Sequence, residues 1–153
     1  MDNQPPKLYK VSDVTGFSVS LSINEKRALY VLLDAHGSIN RQGDGTIDSA
    51  ADNPPPGLFI GVTDPSVFHS VLTHLTDDIL EFLGRVFRVP NPVGAQCKLA
   101  LLFHFNDDAS GGLEFRYGAE SQGPPQDIAD FVTAAVRETD SWYELFKESV
   151  RKS

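Results

Sequence analysis

Phe17, Val19, Leu21 and Ile23 alternate with Ser18, Ser20 and Ser22 without a break. A strand turns successive side chains to opposite faces, so this segment has one apolar face and one hydroxyl face. A helix would scatter the same apolar residues around its circumference. The segment is therefore read as a half-solvated antiparallel strand, in a sheet covered on one side only.

The rest of the chain is read outward from that strand. Asn24-Glu25-Lys26 makes a polar turn into Arg27–Leu33, apolar on both faces, and Asp34-Ala35-His36-Gly37 makes a second turn. A short strand follows at Ser38–Gln42, then a loop through Pro56, then a buried strand at Leu58–Val62. Asp64, Pro65 and Gly84 carry the chemistry of a cap, a first turn and a stop, and the spacing of Phe68, Val71, Leu72, Leu75, Ile79, Phe82 and Leu83 predicts one helix over 65–83. Lys98–Phe105 and Leu113–Tyr117 read as a hairpin across a turn at Asn106–Gly112. The stripe Ile128, Phe131, Val132, Ala135, Val136, Trp142, Phe146 and Val150 predicts a final helix over 126–150, with a kink or restart expected at Thr139-Asp140-Ser141. Pro5-Pro6, Pro54-Pro55-Pro56, Pro90, Pro92 and Pro124-Pro125 fall between these segments and never inside one.

The order ββββ-α-ββ-α implies an α+β fold: an antiparallel sheet of about six strands with two helices packed on one face. The chain of 153 residues is read as a single globular domain, residues 1–12 forming a loosely ordered N-terminal arm. A 41% apolar content is ordinary for a globular protein. No run approaches a membrane span, and the start of the chain resembles neither a secretion signal nor a transit peptide. With a single cysteine, Cys97, no internal disulfide can form, and the chain is read as cytoplasmic.

Charge carries the functional expectation. Between Arg41 and Arg85 there is no lysine or arginine, yet that stretch holds Asp44, Asp48, Asp52, Asp64, Asp77, Asp78 and Glu81, nearly all of the formal charge of −8. Such a balance argues against nucleic acid, whose phosphates need basic side chains, and favours a partner protein with a basic surface. The expected docking residues are Asp44, Asp48 and Asp52 in the loop with Asp77, Asp78 and Glu81 on the helix. The corresponding function is a protein-binding domain, of the kind that serves as an immunity-type or regulatory inhibitor. Whether the loop acids and the helix acids share a surface depends on how the loop folds.

The alternative is a small-molecule site for an anion, enzymatic or regulatory, in the glycine-rich block 36–48. There Arg41 would read the anion, with His36 and Asp44 as polar partners. That block matches neither phosphate fingerprint, because its glycine spacing is wrong and no lysine follows. His74, Asp77, Asp78 and Glu81 would share one face of the helix, but ligands on a single solvated face are a poor metal site, and neither metal nor cofactor is expected. Asn106–Gly111 fails as a calcium loop, since the twelfth position is Tyr117 in place of a glutamate. No nucleophile motif occurs around Cys97 or His104, which points away from an enzyme. Trp142-Tyr143-Glu144-Leu145-Phe146 leaves open a homo-oligomer through partly exposed aromatics.

Overall fold

The computed structural model describes residues 9–46, 60–121 and 123–152. A 3₁₀ turn at Val11–Asp13 leads into β1 (Val14–Ile23), β2 (Lys26–Asp34) and β3 (Ser38–Gly43), and β4 (Ile60–Val62) follows. Then come α1 (Pro65–Leu72), α2 (Asp77–Leu80), β5 (Val86–Arg88), β6 (Gln96–Phe105), β7 (Ser110–Gly118) and α3 (Gln126–Lys152). The strands form a seven-stranded sheet in the order β4-β3-β2-β1-β6-β7-β5. Every pairing is antiparallel except β5 with β7.

The serine-alternating strand, β1, lies at the centre of this sheet. Phe17, Val19 and Leu21 stand opposite Leu33, Val31 and Leu29 on one side and Phe103, Leu101 and Leu99 on the other. These residues face the helices. Phe17 meets Phe131 of α3 edge-on at 5.1 Å between ring centres and Phe68 of α1 at 6.0 Å. Phe131, Phe68, Val71, Ile79 and Leu80 are all buried in the same cluster, so the three helices pack over one apolar face. Burying a large apolar side chain contributes about 1.5–3 kcal/mol, and this face supplies most of the folding free energy.

A register shift between Leu21 and Ser22 admits one extra residue of β2. The bulge lets Ala28 and Leu29 both turn inward, Ala28 into a small second cluster with Ile23 and Cys97. The apolar residues on both faces of Arg27–Leu33 have two causes: this bulge, and Leu32 on the open face opposite Ser18.

The α+β class expected from the chain is the one found, but the strand count, the helix count and the ordering are corrected. The strand Val86–Arg88, absent from the expectation, adds an edge parallel to β7, with Phe87 stacked on Phe115 at 4.8 Å. Three residues carry too little periodicity to register as a strand on their own. The helix expected over 65–83 is two helices. Thr76, with extended φ −112° and ψ 153°, interrupts it and caps α2 through Oγ1, which accepts from the Ile79 amide at 3.4 Å. Gly84, with φ +88°, ends the segment as expected. β4 is not a buried strand: Ile60 and Val62 are 55% and 72% exposed on the sheet edge. Residues 58 and 59 lie outside the described residues.

α3 runs unbroken through Thr139-Asp140-Ser141. The Thr139 hydroxyl donates back to the Ala135 carbonyl at 2.6 Å, so the polar side chain is satisfied inside the helix. The part of the N-terminal arm that is described is docked, not loose. Tyr9 stacks on Phe105 with ring centres 3.7 Å apart, and the Val11 amide donates to Asp77 Oδ1 at 2.8 Å. No helix among the described residues is long and apolar enough to cross a membrane.

Candidate functional site

The residues expected to bind an anion do not converge. His36 sits in the β2–β3 turn, whereas Asp44 follows the far end of β3, eight residues along an extended chain or roughly 26 Å. Arg41 lies between them, and its register partner Val31 places it on the helix-covered face. Its side chain is fully buried. Nε donates to the Gly43 carbonyl at 3.0 Å, and Nη1 reaches the Val136 carbonyl, Thr139 Oγ1 and Asp140 Oδ1 at 3.2, 3.0 and 2.9 Å. The guanidinium lies 4.5 Å above the Tyr143 ring, and the Tyr143 hydroxyl accepts from the Gly43 amide at 2.8 Å. Arg41 anchors β3 to α3 and offers nothing to a ligand in solvent. Asp44 closes its own turn by accepting from the Thr46 amide and hydroxyl at 3.0 and 2.7 Å.

Burial also claims the aromatics of the last helix. Tyr143 is buried against Arg41, and Trp142 stacks on Phe146 at 4.9 Å and lies directly over Gly61 of β4. Of the hydrophobic residues in that run, Leu145 is strongly exposed, at 68%.

The acidic residues divide between the two ends of the sheet. Asp44 lies where β1 ends, because Gly45 donates to the Ala28 carbonyl and its nearest side-chain neighbour is Leu21. Asp77 lies where β1 begins, held by the Val11 amide. β1 itself separates them by roughly 20–30 Å. Asp48 and Asp52 lie outside the described residues.

Around Asp77, however, the fold gathers other carboxylates. Residues 9–13 run as a strap between α2 and the tip of the β6–β7 hairpin. The Tyr9 hydroxyl donates to Asp107 Oδ2 at 2.9 Å, the Lys10 amide to Asp13 Oδ2 at 2.9 Å, and the Asn106 amide to the Asp13 carbonyl at 2.9 Å. Asp77 and Asp107 are thus joined through the strap that carries Asp13, and Asp77, Asp78, Glu81, Asp107 and Asp108 are exposed, as is Lys10. Asp13, Asp107 and Asp108 carry no sign of this role in the sequence. The turn at Asn106–Gly112 was legible, but only the docking of the arm shows what it stands beside. His74, expected on the same helical face, falls in the turn between α1 and α2.

At the opposite end, burial pushes the Cys97 thiol above its usual pKa. Burial, helped by the neighbouring Cys97, pushes Tyr117 up to about 12. Both groups stay neutral at ordinary pH. Among the described residues no cluster of three or more His, Cys, Asp or Glu side chains is arranged to hold a metal ion. Comparison with protein-family models, with characterised proteins and with solved structures finds no match to this chain.

Proposed function

We propose that the protein is a binding domain that docks a partner protein with a basic surface through the acidic end of its sheet, acting as an immunity-type or regulatory inhibitor. The observation that carries this reading is the strap of residues 9–13. It links Asp77 of α2 to Asp107 of the β6–β7 hairpin, and Asp78, Glu81 and Asp108 are exposed next to them in the chain, with Lys10 exposed in the strap itself. Clustered charge of one sign raises association rates with an oppositely charged protein and makes them fall with salt. The docking residues are thus Asp77, Asp78 and Glu81 of the original expectation, joined by Asp13, Asp107 and Asp108. Asp44, at the other end of the sheet, is outside the surface.

Affinity capture from lysate at low salt, eluted with a salt gradient, tests the proposal. The wild-type chain should retain a basic protein that elutes as ionic strength rises. Reversing Asp78, Glu81 and Asp108 to lysine should slow association with that protein at least ~10-fold at low salt. Asp44→Lys should leave it unchanged. Equal capture by the triple variant and the wild type would overturn the proposal.

A further inference from the structure

The face of the sheet turned away from the helices holds a second electrostatic feature of the opposite sign. At the end where β1 finishes, the pairings set Arg27, Ser22, Lys98, Arg116 and Arg88 side by side across β2, β1, β6, β7 and β5. Four of the chain's 13 basic residues therefore stand in one row, in a protein of net charge −8. A groove of about 610 Å³ lies over this row, with Arg88, Lys98, Arg116, Ser22, Gln96 and the carboxylate Glu25 in its wall. Glu114 offsets part of the charge, 2.6 Å from Arg116 Nε and 3.8 Å from Lys98 Nζ. The Arg88 guanidinium makes no ion pair among the described residues.

A second cavity of about 300 Å³ has residues 88, 89, 116 and 117 in common with the groove but lies across the sheet from it, because Phe87 and Phe115 alternate with Arg88 and Arg116 and face the helices. Its remaining wall is apolar, formed chiefly by Phe82, Phe87, Phe115 and the Pro124-Pro125 pair. Cavities of this size, mostly apolar with a few convergent polar groups, suit small molecules. In the groove, guanidinium forks match the oxygens of a carboxylate or phosphate.

We propose that the groove on the open face binds a small anion, its phosphate or carboxylate held by Arg88, Lys98 and Arg116. Ser22 and Gln96 add neutral hydrogen-bonding groups beside the anion. The site is at the opposite end of β1 from the acidic surface, so neither depends on the other.

An NMR titration of the full chain with phenyl phosphate tests this. The amides of Arg88, Lys98, Arg116 and Tyr117 should shift and saturate at sub-millimolar to millimolar concentrations, on the order of 4–6 kcal/mol of binding free energy. Inorganic phosphate should shift the same amides, and neutral benzyl alcohol should not. Arg88→Gln and Lys98→Gln, both at exposed positions on the sheet surface, should each weaken phenyl phosphate ~5-fold or more while the rest of the spectrum is unchanged. No saturable shift at this site by about 10 mM, or equal binding by the variants, overturns the proposal.

Discussion

Arg41 Nη1 lies 2.9 Å from Asp140 Oδ1, joining the third strand to the middle of the long C-terminal helix. The two partners differ sharply in environment: the arginine side chain is fully buried, whereas Asp140 is 52% exposed. The pair is thus only half desolvated, and the surrounding carbonyls and the Tyr143 ring complete the solvation of the guanidinium. One nitrogen, Nη2, is buried without a hydrogen bond, which makes the site costly as well as specific.

Truncation at this position should therefore be severe. Arg41→Ala opens a cavity and removes the donor to the Gly43 carbonyl and the partner of Asp140, with an expected loss of about 3–5 kcal/mol in urea unfolding. Arg41→Met fills the space without a charge and should lose less. Asp140→Asn should cost about 1 kcal/mol or less, because that side chain is largely in water. An Arg41→Ala protein with an unchanged midpoint would contradict the anchoring role.

Gly37 has a backbone requirement that no other residue meets. Its φ is +92°, and a Cβ there would run into the Thr63 carbonyl oxygen. The Gly37 carbonyl also accepts from the Thr63 amide at 2.8 Å, which holds the start of α1 against the β2–β3 turn. Gly37→Ala should cost at least about 2 kcal/mol through left-handed strain and the backbone clash together. Thermal melts will check it; a loss under half that size would mean that the turn relaxes freely.

The division of the middle helix rests on Thr76. Thr76→Ala should remove about 1 kcal/mol and speed hydrogen exchange at the Ile79 amide, whereas Thr76→Ser or Thr76→Asp should preserve both. If α1 and α2 were one helix, Thr76 would be an interior residue and alanine would stabilise it.

Alkaline stability should report on Tyr117. Its folded pKa is raised from 10.0 to about 12, so the unfolded chain loses this proton first as pH rises. The stabilising contribution is complete below the unfolded pKa of 10 and disappears as pH climbs toward about 12. Tyr117→Phe should therefore lose less stability than the wild type over that interval. Identical alkaline limbs in the two proteins would show that the phenol titrates normally.

Local pattern carried the reading of the fold a long way, and its failures have particular causes. β1, β6 and β7 were legible because each has one face in the core and one outside it. The α1–α2 break was written in Thr76-Asp77-Asp78, a cap followed by two first-turn acids, but apolar spacing continued across it and masked the signal. β5 was invisible because its three residues become a strand only by pairing with Glu114–Arg116. Arg41 has the sequence mark of an anion-binding residue, an arginine among glycines that let a backbone approach a ligand closely. The strand register turned it inward instead.

The sequence by itself determined that one face of a central strand is apolar and the other polar, since that depends only on the two-residue repeat of an extended chain. It also determined where acids are abundant and bases missing. Which charges become neighbours was decided by tertiary structure alone. Asp77 and Asp107 are brought together by the docked arm, and Lys98, Arg116 and Arg88 by register across strands. The reason is physical: periodicity assigns a residue to a face, but its position along that face comes from long-range pairing and the packing of the helices above it.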